Sequence, residues 1–140
     1  MDLVSNIADL HQDCFACGAC GDGLGLVFSR DGGDSVSAEW FCHERYQGYP
    51  GVVHGGIIAA LLDSAMTNCL LGKGIAAVTA DMHVEYLEPL RVGGMAVVRA
   101  TLTRARPPLF LLDAVVVQNE RTVAQASAKF MQTDVWSGAE

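Results

Sequence analysis

The sequence predicts one α+β domain, an antiparallel β-sheet wrapped around a single long helix. Three observations lead there. One uninterrupted stretch has helical spacing, several others alternate with period two, and their order is two strands, a helix, then four strands. Taken in chain order, Val4, Ile7, Ala8 and Leu10 are spaced for a short amphipathic helix, and a glycine-punctuated loop follows over residues 14–25. Leu26 and Phe28 lead into Asp31-Gly32-Gly33-Asp34, a strong turn signal. Beyond it Val36, Ala38 and Trp40 alternate with Ser35, Ser37 and Glu39, until Gly48, Pro50 and Gly51 break the chain. Residues 55–71 carry Ile, Leu, Ala and Met at helical spacing with no proline, and Gly72 and Gly74 are stop signals. From Ala76 the period becomes two, with Val78, Ala80, Met82, Val84 and Tyr86 on one face and Thr79, Asp81, His83 and Glu85 on the other. Gly93-Gly94 turns the chain into Ala96, Val98, Ala100 and Leu102, which Pro107-Pro108 ends. Phe110, Leu112, Ala114 and Val116 begin the next strand, and Asn119-Glu120-Arg121 reads as a hairpin turn before Ala124, Ala126, Ala128 and Phe130. The expected organisation is therefore a helix and Cys-Gly loop over 1–24, the body of the same domain over 25–136, and a tail over 137–140.

Composition narrows the function. With 140 residues the chain can bury about two-thirds of its unfolded surface, and 51% hydrophobic against 18% charged residues exclude a disordered protein. Nine Lys and Arg against sixteen Asp and Glu give a net charge of −7. No basic run exists to displace phosphate counterions, so nucleic acid is not an expected partner. The longest apolar stretch, residues 57–71, holds Asp63, Ser64, Thr67 and Asn68 and is too short for a bilayer. The first ten residues lack the pattern of an export signal, and five cysteines, an odd number, read as reduced thiols in a cytoplasm.

Chemistry concentrates at Pro50-Gly51-Val52-Val53-His54-Gly55-Gly56 and the helix it enters. Gly55 and Gly56 let a ligand approach the first-turn N–H groups, which lack intrahelical partners and carry the positive end of the helix dipole. Such groups bind an oxyanion or polarise a carbonyl. The same glycines also suit an ordinary tight turn. Asp63 adds weight to the chemical reading, because an otherwise apolar helix interior is a costly place for a carboxylate. Burial there raises a carboxyl pKa toward that of a general base. The structural alternative is a carboxylate at the helix edge, solvated or bonded to Asn68 or Thr79.

PGVVHGGIIAALLDSAM, followed by TADMHVEYLEPLRVG and preceded by CFACG, resembles the hotdog-fold acyl-CoA thioesterases. The likeness is to the PaaI-like, phenylacetate-type branch of the 4-hydroxybenzoyl-CoA thioesterase superfamily, over about residues 14–131. It implies a hotdog domain that hydrolyses coenzyme A thioesters without a metal or other cofactor. By position, Gly55, joined by Gly56, supplies oxyanion-hole N–H groups, and His54 shapes the turn. Asp63 matches the base or nucleophile, and Thr79 matches a hydroxyl that orients water. Related enzymes often carry Asn where this chain has Gly48, and the adjacent Gln47 is the candidate substitute. Arg104 and Arg106 stand where many relatives have a Gly-Arg pair; they could meet coenzyme A phosphates or be solvated hairpin charges. A non-catalytic acyl-CoA binding protein with the same pocket is the alternative, though 140 residues leave no room for an output domain. Hotdog dehydratases fit less well, since here the histidine follows PGV. The acidic balance favours free coenzyme A over an acidic carrier protein as substrate.

His11, Cys14, Cys17 and Cys20 form H-x2-C-x2-C-x2-C. Structural zinc sites usually join ligand pairs from two separated segments, so a metal-free loop is expected. Cys42 and Cys69 read as core fillers rather than nucleophiles, and Gly21-Asp22-Gly23-Leu24-Gly25 precedes a strand, not the helix a phosphate loop needs. Helix geometry also bears on assembly. Gly55 and Asp63 lie eight residues apart, roughly 12 Å along an axis, too far to act on one carbonyl. A homodimer with antiparallel helices across a two-fold axis would unite them. The small Ala59/Ala60 face would admit the partner helix, and the C-terminal strands would join edge to edge. Tetramers, pairs of such dimers, are common in the resembled family.

Overall fold

The computed structural model describes residues 10–18 and 23–133. The expected helix around Val4–Ile7–Ala8, the cysteine at 20 and the tail lie outside them. Among the described residues six strands, β1 (Ser29–Arg30), β2 (Ser35–Phe41), β3 (Ala77–Tyr86), β4 (Met95–Arg106), β5 (Leu109–Gln118) and β6 (Arg121–Gln132), and one α-helix, α1 (Gly55–Leu71), follow the expected order, with a 3-10 turn at Glu44–Tyr46 before the helix. All strand pairs are antiparallel, in the sheet order β1-β2-β4-β5-β6-β3. The connection through α1 carries the chain from β2 across the sheet to β3 at the opposite edge.

Local chemistry explains the helix boundaries. His54 caps the start with an extended backbone, and Gly74 takes a positive φ of 79° at the end. There Ile75 N–H donates to Leu70 O and Gly74 N–H to Leu71 O, closing the last turn in a Schellman arrangement. The buried stripe of α1, including Leu61, Leu62, Ala65, Met66 and Leu70, packs on Val98, Phe110, Leu112, Val116 and Phe130. Burying each large side chain contributes about 1.5–3 kcal/mol. Among the described residues no helix is long and apolar enough to cross a membrane.

The hairpin turn at Asn119 and Glu120 is formed as expected, with φ of 54° and 65° and Gln118 paired to Arg121. Two expectations are corrected. Strand β6 lies between β5 and β3, so the C-terminal strand offers no free edge; the edges are β1 and β3. The single alternation expected through residues 78–86 is also interrupted. The β3–β6 register shifts between Thr79 and Asp81, so that Thr79 pairs with the buried Phe130 and Asp81 with the exposed Lys129. This bulge at Ala80 turns Thr79 to the helix-facing side and leaves Val78 45% exposed. A like shift between Leu102 and Arg104 pairs Arg104 with Leu111 and Arg106 with Leu109, while Ala105 meets the buried Phe110. Both arginines therefore lie on the sheet face away from α1.

Candidate active site

The entry to α1 is held by a dense set of backbone bonds. His54 N–H donates to Tyr46 O at 2.9 Å, Val53 N–H to Leu90 O at 2.8 Å, and Gly48 N–H to Val52 O at 2.9 Å. His54 Nδ1 accepts from Gly56 N–H at 2.8 Å, so the imidazole serves as the helix cap. That bond occupies the Gly56 donor. The Gly55 N–H has no acceptor among the described residues, and Gly55 lines a cavity of ≈ 280 Å³ with Gly48, Tyr49, Val52, Val53 and His54.

Gly48 packs directly on the cap, where an added Cβ would lie 3.2 Å from His54 Cα. Gln47 does not line this cavity, and its side-chain oxygen accepts from Gly51 N–H at 3.1 Å, closing the loop. Both residues thus shape the turn that positions His54 and Gly55. The Arg104 and Arg106 side chains make no hydrogen bond or ion pair with another described residue, and they stand apart from the turn.

Farther along α1, Asp63 lies half-buried and accepts a 2.5 Å hydrogen bond from Thr79 Oγ1. The bulge in β3 makes that bond possible. Gly56, Ala60, Asp63 and Thr67 recur at helical spacing along the stripe of α1 that the sheet leaves partly open. The carboxylate is therefore both held by Thr79 and available at a surface, so the structural and chemical readings of Asp63 coexist. Cys42 and Cys69 are fully buried, as expected of core residues. Burial pushes the Cys42 thiol up to about 11, far from a useful thiolate.

Tyr86 was not singled out by the sequence reading, although it ends the T-x-D-x-x-x-x-Y pattern. Its hydroxyl donates to Gly55 O at 2.9 Å, tying the end of β3 to the first residue of the helix. Tyr86→Phe is expected to lower stability by about 0.5–1 kcal/mol, checked by urea unfolding, because the bond is exposed and Gly55 O keeps its helical partner.

A six-stranded antiparallel sheet wrapped on one long helix, with an open N–H at the helix start and a carboxylate two turns on, defines a hotdog domain of thioesterase type. The chain belongs to the thioesterase superfamily, whose family model matches residues 50–125. It is 33% identical to rat acyl-coenzyme A thioesterase THEM4 over 90 residues, 63% of this chain and 39% of that protein. The chain thus spans well under half the length of that relative. The E. coli PaaI protein of the phenylacetic acid degradation operon has the same fold, with a TM-score of 0.75, 22% identity and coverage of 81% of this chain and 88% of that one. So does smu.793 of Streptococcus mutans, solved bound to acetyl CoA, at a TM-score of 0.71 and 24% identity, covering 77% and 86%.

Proposed function

We propose that this protein hydrolyses acyl- or aryl-coenzyme A thioesters to the free acid and coenzyme A. The observation that carries the reading is the Asp63–Thr79 pair on the open stripe of α1, together with an unused Gly55 N–H at the helix start. Thr79 fixes one carboxylate oxygen and leaves the other to take a proton from water or to attack the carbonyl itself. Gly55 N–H, at the positive end of the helix dipole, stabilises the oxyanion that forms before the thiolate departs. His54 holds that N–H in place by capping the turn, and Gly48 and Gln47 support the cap. Gly56, whose donor is occupied by His54, acts through the turn. The reaction needs only proton transfer and charge stabilisation, so no cofactor is assigned. On the outer face of the sheet, Arg104 and Arg106 are read as solvated charges.

The two working groups belong to different subunits of a homodimer. The free edge of β3 suggests how. Within one chain Tyr86 sits by Gly55 and Thr79 by Asp63, so β3 runs antiparallel to α1. Two β3 edges paired antiparallel about His83 set Thr79 of one subunit level with the partner subunit's Tyr86, because the bulge at Ala80 takes up one residue. Gly55 of each chain then lies beside Asp63 of the partner subunit, giving two equivalent sites. Further association into a tetramer is not needed for either site.

The test is a panel of aliphatic and aromatic coenzyme A esters, with release of the free thiol followed by a thiol reagent. Turnover of at least one ester is expected. Tight coenzyme A binding with no thiol released from any ester would overturn the hydrolase reading in favour of an acyl-CoA binding protein.

A further inference from the structure

The loop expected to be metal-free gathers three soft ligands. A ring nitrogen of His11, Cys14 Sγ and Cys17 Sγ all lie within 4.8 Å of one another, and His11 Nδ1 is 3.4 Å from Cys17 Sγ. Tetrahedral zinc, with bonds of about 2.3 Å to sulfur and about 2.0–2.1 Å to nitrogen, holds its donors about 3.5–3.8 Å apart. The cluster is already near that size. Each of the three residues is half-buried, as a structural metal site requires, rather than spread on the surface.

A wrap this tight is what a single short segment was not expected to achieve, and the backbone shows how it is done. Cys14 N–H donates to His11 O at 3.1 Å, and Gly18 N–H to Cys14 O at 2.7 Å, so two consecutive turns fold the ligand-bearing residues together. A Cβ on Gly18 would fall 2.5 Å from both Cys14 N and Gln12 O, so only glycine lets the second turn close. The loop is also fastened to the domain. Leu24 N–H donates to Phe15 O at 2.6 Å, Leu26 N–H to Ala16 O at 2.9 Å, and Ala16 is 4% exposed in the core.

We propose that His11, Cys14 and Cys17 bind one zinc ion or a similarly thiophilic divalent cation. On binding, the two thiols release their protons, and the two thiolates and the neutral imidazole balance the ion's charge. One tetrahedral position remains for water or a further donor. His11 and Cys17 also line a cavity of ≈ 420 Å³ with Asn68, Leu71 and Gly72, at the C-terminal end of α1. The cavity borders β1 and β2 at Arg30 and Val36, whereas Asp63 is held by Thr79 on β3, at the opposite edge of the sheet. The ion therefore clamps the N-terminal loop over the C-terminal end of the helix.

The experiment uses the full chain, prepared without a histidine tag under reducing conditions. Metal analysis should find one zinc per chain, and none in the Cys14→Ser/Cys17→Ser double variant. Cobalt(II) loaded in place of zinc should give the charge-transfer band of a cobalt–thiolate bond in the unaltered chain. Gly18→Ala should weaken zinc about tenfold or more by opening the second turn. Chelation should lower the melting midpoint and zinc should restore it. Zinc below about one-fifth of an ion per chain with no cobalt band after reconstitution would overturn the site, as would full binding by the double variant. If the double variant does not fold, the cobalt band of the unaltered chain decides, present in support and absent against. A melting midpoint indifferent to zinc overturns the clamp.

Discussion

Asp63→Asn is expected to lower kcat for thioester hydrolysis by about 10²–10⁴-fold while KM stays within about threefold. The substitution keeps the shape of the side chain and an oxygen that can accept the Thr79 hydrogen bond, so the local packing survives. What is lost is the ability to take a proton or to form an acyl intermediate, and both versions of the mechanism need the carboxylate. Stability should not fall, because a half-buried charge in an apolar helix face is replaced by a neutral amide. Steady-state kinetics together with urea unfolding of the same preparation checks both halves. A folded variant with unchanged kcat on every ester would remove Asp63 from the mechanism.

Much of this was legible in the residues, for reasons that also explain what was not. Helix α1 was readable to the residue, since its apolar spacing, its lack of proline and its two terminal glycines are all local signals. The strands were readable from alternation, but their partners were not. That β3 pairs with β6, and that β6 is thereby denied an edge, follows from contacts some fifty residues apart in the chain. The bulge at Ala80 was invisible for a related reason. Period two is a rule for an unbroken ladder, and only the partner strand shows where a residue is skipped. At the site this mattered: strict alternation sends Thr79 away from Asp63, whereas the bulge brings their side chains together. The Gly55 and Gly56 donors looked equivalent in sequence until the imidazole of His54 was seen to occupy one of them. Tyr86 lies thirty-one residues from Gly55, and its aromatic ring at the end of a strand gave no sign of a bond to the helix start.

A mixture of two inactive variants should recover activity, because in the proposed dimer each site draws Gly55 from one chain and Asp63 from the other. Gly55→Pro removes the one N–H assigned to the oxyanion and should by itself cost about 10²–10³-fold in kcat. The position tolerates proline well. It is the first residue of the helix, where proline's fixed φ fits and the missing N–H breaks no helical bond. The preceding His54, at φ −59° and ψ 136°, already has the extended backbone that a residue before proline prefers. A side chain there would also meet Tyr86 only at an ordinary 3.6 Å. Co-expressed with Asp63→Asn and isolated through two different tags, the heterodimer holds one intact site and one that lacks both groups. Its kcat per dimer should be about half that of the unaltered homodimer, while either variant alone stays at its own low level. Sedimentation of the same preparation should show the active species as a dimer. Heterodimers that are folded but no more active than their parents would defeat the shared site, and so would full activity in an isolated monomer.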